Sequence, residues 1–399
     1  MRSALATGRF EVLVLNPISA NGLKRLPADR YAVGKDVAQP VAVLVRSADM
    51  HAMDIPASVR AIGRAGAGTN NIPVDAMSAR GVPVFNAPGA NANAVKELVL
   101  AGMLMASRNL APALRFVAAL DPALPDMDKA VEESKKAFAG FELAGQTLGI
   151  VGLGKIGCLV ADAAIKLGMD VLGFDPHITV DAAWSLPAQV KKAGSVAEVL
   201  KQANFISLHV PLIDATRDLV NAGNMGQLKA GAVLMNFSRE GIVNEQAVLA
   251  ALATRQLANY VCDFPSPALN RHERVIALPH LGASTREAEE NCAIMVADQL
   301  RDYLEHGNVA NAVNFPHVSM ARESTYRVAI ANANVPNMLG QISTAMANAG
   351  LNIHNMVNKS RGDMAYTLVD VDSAVDGKVL DEIRAIAGVL SVRYLPQLS

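Results

Sequence analysis

Cysteine, long apolar runs and excess charge of one sign are all scarce in this sequence. Cys158, Cys262 and Cys292 are the three cysteines among 399 residues, and none has C-x-x-C spacing. A disulfide framework and a cysteine zinc site are therefore not expected, so we predict free buried thiols, no metal and a reducing, cytoplasmic setting. No apolar run is long enough to cross a bilayer, and the first residues lack the apolar core of a signal peptide.

The charge balance also limits the partners. The net charge is −1, with 36 basic and 37 acidic side chains. Affinity for nucleic acid depends on a basic surface that neutralises phosphates, so neither nucleic acid nor a membrane is an expected partner. Hydrophobic residues make up 51% of the chain, which is typical of a globular protein, and the length predicts two or three domains.

Short apolar runs in the first third predict strands that alternate with turns and helices. They are residues 12–15, 41–45 and 82–85, an α/β pattern. Residues 94–119 then predict one long helix that is interrupted only at Pro112. Residues 121–136 are acidic and contain prolines, which indicates an exposed connection.

The pattern strengthens from Thr147 onward. Apolar runs alternate with segments of helical period and predict a doubly wound parallel sheet. The runs are residues 148–151, 171–174, 205–208, 233–235, 260–262 and 275–278. Residues 284–305 predict a second long helix and residues 309–316 a linker. Residues 326–395 then predict a small module in the order strand, helix, strand, strand, helix, strand.

The first run of this sheet leads into a glycine-rich turn. Gly152, Gly154 and Gly157 form the pattern G-x-G-x-x-G between an apolar strand and an apolar helix. These glycines allow a tight turn, the approach of a pyrophosphate and close packing of helix on strand. Asp175 ends the next predicted strand, where a carboxylate accepts hydrogen bonds from ribose hydroxyls and repels a 2′-phosphate. No Arg or Lys follows Asp175 before Lys191, so the pattern favours NAD over NADP.

Two further side chains follow later strands of the predicted sheet. Arg239 comes just after the run 233–235, and His280 just after the run 275–278. A guanidinium can bind an α-keto acid through its carboxylate and carbonyl oxygens and polarise the carbonyl. A histidine can take the hydroxyl proton as hydride leaves. Ligands bind at the carboxyl ends of strands in such sheets, so we interpret this pair as catalytic.

Several motifs in fixed order resemble the D-isomer-specific 2-hydroxyacid dehydrogenases. They are RAGAGTNN (64–71), VFNAPGAN (84–91), GLGKIG (152–157), NFSR (236–239), PHLGAST (279–285) and AVNFP (312–316). The last motif and the C-terminal module are similar to the phosphoglycerate branch of that family. The resemblance spans nearly all of the first 316 residues.

The resemblance implies an α/β fold in three parts. A discontinuous, flavodoxin-like substrate domain would comprise residues 1–103 and 284–317. A Rossmann-type NAD-binding domain would comprise residues 104–283. A small α+β module like an ACT domain would comprise residues 318–399 and would pair across the subunits of a homodimer or homotetramer.

The resemblance also implies roles for individual residues. Arg239 would bind and polarise the substrate, and His280 would be the acid/base. Contacts to NAD would come from Gly152, Gly154, Lys155, Ile156, Gly157, Asp175, Phe237, Ser238 and Asp263, the last beside the nicotinamide amide. The substrate carboxylate would bind to backbone N–H groups of Ala67 and Gly68, since glycine-rich loops form anion nests. Arg46 is either a ligand of the substrate phosphate or an ordinary solvated charge.

Two positions depart from the family pattern. Glu240 intervenes between Arg239 and the usual glycine, and it either points to solvent or weakens the hold on an anionic substrate. The family acid that orients the histidine falls at Ala268 in this chain. Glu273 is too far along the chain to be its expected substitute, so we expect His280 to work without a dedicated carboxylate partner.

In the C-terminal module, the positions that match an effector site are Asn332, Asn334 and Asn352. Asparagine amides can bond both the carboxylate and the ammonium group of free serine. The usual Pro-Gly of this loop is Pro336-Asn337 here, and asparagine tolerates a left-handed backbone better than most residues. A serine effector site and a pairing module without effector both stay open.

The function that the resemblance implies is oxidation of 3-phosphoglycerate to 3-phosphohydroxypyruvate with NAD, the first step of serine biosynthesis. Two alternatives remain. One is a dehydrogenase for another D-2-hydroxy acid. The other is an NAD-sensing binding protein with weak turnover, which Glu240 and Ala268 keep open.

Overall fold

The structure, a computed structural model, describes residues 8–396 and divides into two compact units. One unit comprises the chain up to Asn91 together with the chain from Arg286 onward, and the other comprises Ala92–Thr285. No helix within the described residues is long and apolar enough to span a membrane. The domain limits that the resemblance implies stay a prediction.

The first segment folds into a parallel sheet flanked by short helices. Its elements are β1 (Phe10–Val14), α1 (Ala20–Leu23), β2 (Tyr31–Gly34), β3 (Ala42–Val45), β4 (Ala61–Arg64), α2 (Val74–Ala79) and β5 (Val84–Phe85). The strands lie in the order β2-β1-β3-β4-β5. The central strand β3 is buried along its whole length, which is why its sequence is a continuous apolar run.

The middle unit begins with helices and continues as a doubly wound sheet. Its helices are α3 (Ala92–Ser107), α4 (Leu110–Ala118), α5 (Met127–Ser134), α6 (Lys155–Lys166), α7 (Val180–Ser185), α8 (Val196–Gln202), α9 (Ala222–Met225) and α10 (Glu245–Ala253). Its strands are β6 (Thr147–Val151), β7 (Asp170–Phe174), β8 (Lys191–Lys192), β9 (Phe205–Leu208), β10 (Ala232–Asn236), β11 (Leu257–Cys262) and β12 (Val275–Ala277). Short 3₁₀ turns lie at Lys135–Phe138, Asp214–Thr216 and Glu240–Ile242.

All strands of the middle unit run parallel in the order β12-β11-β10-β9-β6-β7-β8. The chain crosses from β7 and β8 on one side of β6 to β9 and later strands on the other. The order therefore reverses at β6, and this is the point at which such sheets bind ligands.

The long helix expected at 94–119 is two helices in the structure. The break lies at Asn109, which has a left-handed backbone (φ 51°), and Pro112 lies inside the first turn of α4. Proline is tolerated in a first turn because its missing N–H would have no partner there. The connection expected at 121–136 contains α5, none of whose residues is buried.

The last segment adds one long helix and an antiparallel sheet. Its elements are α11 (Arg286–His306), β13 (Tyr326–Ala333), α12 (Met338–Asn348), β14 (Ile353–Arg361), β15 (Met364–Val371), α13 (Gly377–Ala385) and β16 (Val389–Pro396). The strands lie in the order β14-β15-β13-β16. This confirms the predicted order of elements in a small α+β module and, with the two parallel sheets, the predicted fold class.

Strand β13, in the interior of the C-terminal sheet, is buried on both faces. Val328 and Ile330 on β13 pack in one cluster with residues of α12 and α13. The alternate residues, Ala329 and Ala331, pack in another cluster with residues of α11 and of the first segment, including Tyr303. Side chains alternate between the faces of a strand, so a strand buried on both faces has a nearly continuous apolar sequence.

Candidate active site

The turn after β6 has room for a ligand only because of its glycines. Gly152 has a left-handed backbone (φ 93°), and a Cβ there would lie 2.4 Å from the carbonyl oxygen of His209. A Cβ on Gly157 would lie 2.1 Å from the carbonyl oxygen of Gly152, so α6 lies against the turn. A Cβ on Gly154 would meet nothing within 4 Å. The backbone at Gly154 is therefore open to a bound group.

Helix α6 begins directly at this opening. Its first residue is Lys155, which is exposed, and Ile156 is half-buried. The N–H groups of the first helical turn have no partner within the helix and carry the positive end of its dipole. An anionic pyrophosphate fits such a helix start.

Asp175 lies where β7 ends and faces the glycine turn. Its Oδ2 accepts the N–H of Leu153 at 2.8 Å, and its Oδ1 accepts the N–H of His177 at 2.9 Å. These bonds fix a half-buried carboxylate beside the turn. Its remaining lone pairs suit ribose hydroxyls, and its charge opposes a 2′-phosphate.

His209, which the sequence analysis did not single out, also borders the turn. Its Nε2 lies 2.8 Å from Oγ of Ser207, and its Nδ1 has no hydrogen-bond partner in the described structure. Burial lowers the pKa of His209 to about 4, so the ring is neutral at physiological pH. A single histidine after a strand could equally lie in an ordinary core, so the sequence alone does not predict that His209 borders the glycine turn.

The loop that carries Arg239 is fixed by a buried amide. Asn236 is 1% exposed; its Nδ2 donates to the carbonyl oxygen of Arg239 at 2.8 Å, and its Oδ1 accepts the N–H of Ser238 at 3.1 Å. Ser238 also donates through Oγ to the carbonyl oxygen of Leu208 at 2.6 Å. Phe237 is buried. The loop is held while the side chain of Arg239 stays exposed.

Glu240 follows Arg239 as the first residue of a 3₁₀ turn. It is exposed, and it makes no ion pair with Arg239, whose Nη1 donates to the carbonyl oxygen of Ser238 at 2.6 Å. Of the two expectations for this acid, the structure fits the one in which it points to solvent.

His280 lies in a tight loop after β12 with a left-handed backbone (φ 56°) and an exposed side chain. Oδ1 of Asp263 accepts the N–H of Leu281, and Oδ2 accepts the N–H of Gly282, both at 2.7 Å. The carbonyl oxygen of Asp263 accepts the N–H of His280 at 3.1 Å. Burial raises the pKa of Asp263, and these donors and the nearby His280 oppose the rise.

The imidazole of His280 lies against an aromatic ring instead of a carboxylate. Its centroid is 5.0 Å from that of Phe264, with the rings inclined at 56°. Ala268 is exposed, and the side chain of Glu273 is 81% exposed and lies 3.6 Å from Nε of Arg274. Among the described residues of this unit, no carboxylate hydrogen-bonds to the imidazole, and the absence of a dedicated partner stays a prediction.

Neighbouring strands bring these loops to one edge of the sheet. The N–H of Asp263 donates to the carbonyl oxygen of Asn236 at 3.1 Å, and the N–H of Leu278 donates to that of Cys262 at 2.8 Å. The carboxyl ends of β10, β11 and β12 are therefore adjacent, and they carry Arg239, Asp263 and His280. The glycine turn after β6 and Asp175 after β7 lie at the carboxyl edge of the same sheet.

The predicted substrate loop lies in the other unit. The N–H groups of Ala67 and Gly68 donate to no acceptor among the described residues, which fits an anion nest. A Cβ on Gly66 would lie 1.9 Å from Nη1 of Arg64, so the guanidinium of Arg64 covers this loop. Arg64 was not predicted. Arg46 forms an ion pair with Glu289 and is 41% exposed, so it is not simply a solvated charge.

The three predicted effector residues are not brought together within one chain. Asn332 is 1% exposed with its Oδ1 unpartnered, and exposed Asn334 donates to the carbonyl oxygen of Gly362 at 2.9 Å. Asn332 pairs with Ala365 at one end of β15. Asn352 lies at the opposite end of β15, because the next residue, Ile353, pairs with Val371, the last residue of that strand. Asn337 has the expected left-handed backbone (φ 65°).

Comparison with known proteins gives the same family as the motifs. Residues 100–282 match the model of the D-isomer specific 2-hydroxyacid dehydrogenase NAD-binding domain. D-3-phosphoglycerate dehydrogenase of Haemophilus influenzae is 33% identical over 343 residues, which cover 82% of this chain and 79% of that protein. The enzyme of the same name from Escherichia coli K12 is 32% identical over 351 residues, 84% of this chain and 81% of its own.

Solved structures agree with these matches. The NAD⁺-bound 3-phosphoglycerate dehydrogenase of Entamoeba histolytica superimposes with a TM-score of 0.60 at 25% identity, covering 76% of this chain and 98% of that one. The glycine turn, the start of α6 and Asp175 fit the cofactor that this family binds. The chain therefore belongs to the D-isomer-specific 2-hydroxyacid dehydrogenase family and is an NAD-dependent dehydrogenase.

Proposed function

We propose that this dehydrogenase oxidises D-3-phosphoglycerate to 3-phosphohydroxypyruvate, the first step of serine biosynthesis. The observation that carries the proposal is the placement of Arg239 and His280 at adjacent strand ends, on the sheet edge that holds the glycine turn and Asp175. The names of the curated relatives support the choice of substrate.

In the proposed reaction, Arg239 binds the substrate through its carboxylate and its C2 oxygen. Its five N–H donors form a planar fork that suits two oxygens at once, and its charge stabilises the polarised carbonyl. His280 takes the proton of the C2 hydroxyl as the C2 hydrogen leaves as hydride. NAD, when bound, supplies the hydride acceptor. In the reverse direction, His280 returns the proton to the same oxygen.

The substrate loop supplies the other contacts in this proposal. Ala67 and Gly68 donate their free N–H groups to the carboxylate, and Arg46 binds the phosphate. Glu289 already pairs with Arg46, and the carboxylate is 40% exposed, so the phosphate competes with an acid that water partly screens. We therefore expect Arg46 to add less affinity for the phosphate than an unpaired arginine would.

Substrate preference tests the proposal. We would follow NADH oxidation with 3-phosphohydroxypyruvate, with hydroxypyruvate as its match without phosphate, and with glyoxylate and other 2-keto acids. We expect the highest kcat/KM for 3-phosphohydroxypyruvate. Arg46→Gln should lower that value by roughly 10-fold while leaving hydroxypyruvate nearly unchanged, because a charge-assisted hydrogen bond contributes about 1.5–3 kcal/mol before competition by Glu289.

Each other outcome of this panel has a distinct meaning. A better rate with an unphosphorylated keto acid would assign the chain to another D-2-hydroxy acid. Binding of NADH without turnover of any keto acid would support the NAD-sensing alternative. Arg239→Gln serves as the reference for lost transition-state stabilisation, with kcat expected to fall by about 10²–10³-fold.

For the C-terminal module, we propose a pairing role with a serine effector site shared between two copies. The module has the predicted α+β order, and Asn334 and Asn352 lie near opposite ends of its sheet. One module alone therefore cannot use both asparagines on one small ligand, whereas two modules side by side can. Pairing without any effector is the alternative.

A further inference from the structure

We propose that four arginines, where the C-terminal module meets the first sheet, bind a phosphate group of free phosphate or of a phosphate ester. They are Arg60, Arg80, Arg384 and Arg393, and we call them the arginine cluster. Two belong to the first segment of the chain and two to the C-terminal module, and both parts lie in one compact unit. A bound phosphate therefore joins the module to the first segment. The site is separate from the reaction proposed above.

The first segment contributes Arg80 and Arg60, which meet at the turn before β4. Arg80 donates from Nη1 to the carbonyl oxygen of Ile55 at 3.0 Å and from Nη2 to that of Pro56 at 2.7 Å. The same Pro56 oxygen accepts the N–H of Val59 at 3.1 Å, so Arg60 comes directly after this turn. Neutral carbonyl groups thus hold the guanidinium of Arg80 close to Arg60.

The C-terminal module contributes Arg393 from β16 and Arg384 from α13. Cζ of Arg393 lies 4.3 Å from the ring centroid of Tyr303. The same guanidinium donates to the carbonyl oxygens of Tyr303 and Leu304 at 3.2 and 3.0 Å. Arg384 donates from Nη2 at 3.4 Å to the carbonyl oxygen of Val392, the residue before Arg393. These two arginines are therefore also neighbours.

A direct contact joins the two sides of the arginine cluster. Oγ of Ser391 donates to the carbonyl oxygen of Gly81, the residue after Arg80, at 3.1 Å. A Cβ on Gly81 would lie 2.8 Å from the same Oγ, so β16 lies closely against this loop. Alternate residues of a strand face the same side, so Arg393, two residues after Ser391, also faces the first segment.

The arginine cluster has more positive charge than the protein neutralises. Within the part of the chain that the structure describes, Arg384 is the one member with an ion pair, 2.5 Å from a carboxylate oxygen of Asp381 that is itself on a 76% exposed side chain. Arg60 is exposed, and its side chain makes no hydrogen bond to a described residue. Partial burial lowers the pKa of Arg60, and the charges of the other three arginines lower it further. An anion at this place would relieve that repulsion.

A phosphate group matches the donors that the cluster offers. Guanidinium groups stay charged at physiological pH and bind phosphate oxygens through two parallel N–H bonds. The carbonyl groups that hold Arg80, and the ring and carbonyl groups that hold Arg393, fix both side chains while leaving other N–H groups for a ligand. Donors that are already fixed lose little entropy on binding. A phosphate also has more acceptor oxygens than a carboxylate, so it can bond several arginines at once.

The cluster lies at the opposite end of β4 from the predicted substrate loop. Arg60 precedes the first residue of β4 and Arg64 is its last, and four residues of strand span about 13 Å. Along α11, Tyr303 is in the last turn, whereas Glu289, the partner of Arg46, is in the first, about 21 Å away. A phosphate in the cluster is thus a second ligand and not the substrate phosphate.

Calorimetric titration with inorganic phosphate tests the site. The background is full-length Arg46→Gln, which removes the cation at the substrate loop. Adding Arg60→Gln should raise the Kd for phosphate at least about 10-fold, the effect of losing one charge-assisted hydrogen bond. Arg115→Gln is the control, because Arg115 is an exposed arginine on α4, and the Kd should stay within about 2-fold. Equal Kd values in the Arg60→Gln and Arg115→Gln variants would overturn the proposal.

Backbone amide exchange locates the phosphate. In the Arg46→Gln background, inorganic phosphate should slow exchange at least about 3-fold in peptides that cover residues 55–60 and 389–396. Arg60→Gln should remove this protection while the strands of the first sheet exchange as before, which shows that the variant is folded. Protection confined to residues 64–71 would place the phosphate at the substrate loop alone and would also overturn the proposal.

Three probes identify the source of the phosphate group. They are inorganic phosphate, 3-phosphoglycerate as a phosphate ester, and glycerate as its match without phosphate. The first two should protect the peptides of the arginine cluster, and glycerate should not. A Kd at least about 10-fold lower for 3-phosphoglycerate than for inorganic phosphate would assign the site to an ester, and a smaller difference would assign it to free phosphate. Equal protection by glycerate would show recognition of a carboxylate and contradict the proposal.

The outcomes also separate this site from the proposed function. Calorimetry and amide exchange need no turnover, so an enzyme that reduces no keto acid would end the function and leave the phosphate site to be decided. An active enzyme in which Arg60→Gln leaves the Kd for phosphate unchanged would keep the function and lose the site.

Discussion

His209 combines a half-buried side chain with one buried, unpartnered nitrogen at the turn where the strand order reverses. Nε2 is near the hydroxyl of Ser207, and Nδ1 has no protein partner among the described residues. Protonation would place a positive charge in this buried position, and burial therefore lowers the pKa to about 4. The folded protein therefore favours the neutral form of the ring.

This pKa predicts how stability depends on pH. In the unfolded chain the histidine binds a proton below about pH 6.5, whereas the folded state binds it only near pH 4. The free energy of unfolding therefore carries no penalty from His209 above about pH 6.5. It falls as the pH drops toward 4, by at most about 3 kcal/mol. Urea unfolding of wild type and His209→Gln across this range should show a smaller loss in the variant.

A matched control keeps this result specific. His317 is exposed and makes no hydrogen bond in the described structure, so His317→Gln should leave the pH dependence as in the wild type. Equal slopes in wild type and His209→Gln would contradict the prediction.

Single residues also show what the sequence could predict of the site. Arg239 and His280 were predicted because charged or titratable side chains just after apolar runs are conspicuous, and the structure places both at the expected sheet edge. Asp263 was predicted as a cofactor contact, a role that stays a prediction. Its bonds to Leu281 and Gly282 could not be predicted, because they join segments that only the tertiary fold brings together.

At the scale of elements, a buried ion pair joins β13 and β15. Arg327 and Asp370 are both 0% exposed, and two hydrogen bonds of 2.6 and 2.8 Å connect them. Arg327 also donates to the carbonyl oxygens of His306 and Met320, at the end of α11 and beyond it. Burial alone would raise the pKa of Asp370, but its bond to Arg327 and other donors lower it overall.

Removing one partner of this pair should be costly. Asp370→Asn leaves a buried guanidinium without its counter-charge, and we expect a loss of about 3–5 kcal/mol in the free energy of unfolding. The double variant Arg327→Met with Asp370→Leu should recover much of that loss, because apolar residues of similar volume often replace a buried pair without penalty. Urea unfolding measures both, and a loss in Asp370→Asn below about 1 kcal/mol would contradict the argument.

Helices and strands could be predicted where the hydrophobic period and the residues of the adjoining turn gave the same answer. The strand, glycine turn and helix at β6 and α6 have a period and a motif that give the same answer. β4 was missed because Gly63 interrupts its apolar run, and the structure shows why a glycine is there: a Cβ would lie 2.9 Å from Leu300 on α11. β8 was missed because it is two exposed lysines at the sheet edge. The break at Asn109 was missed because proline was the stronger signal nearby.

At the scale of the whole molecule, the effector proposal requires two copies of the chain. Asn332 pairs with Ala365, and Ile353, just after Asn352, pairs with Val371. Along an antiparallel strand these positions on β15 are about 20 Å apart, much more than the length of free serine. A complete site then has Asn334 from one copy and Asn352 from the other.

Mixed assemblies test this arrangement. Asn334→Ala and Asn352→Ala chains should each lose serine inhibition alone, because every site lacks one amide. A refolded mixture should regain it in part, since a pair with one chain of each kind contains one intact site and one site with both amides missing. Calorimetry should count about half a serine per chain in the mixed pairs, and no recovery on mixing would remove the shared site.

The first and last segments of the chain share one core, and this has a consequence for synthesis. Phe85 and Tyr303 have ring centroids 5.5 Å apart, and the hydroxyl of Tyr366 donates to the carbonyl oxygen of Gly307 at 2.8 Å. A ribosome delivers the N-terminal sheet first, but the partners of that sheet emerge only with α11 and the C-terminal strands. The contiguous middle unit can fold on the ribosome as soon as it emerges, whereas the first segment must wait for α11 and the C-terminal strands to bury its apolar surface. A nascent chain is therefore most exposed to misfolding and most dependent on chaperones at its N-terminal end.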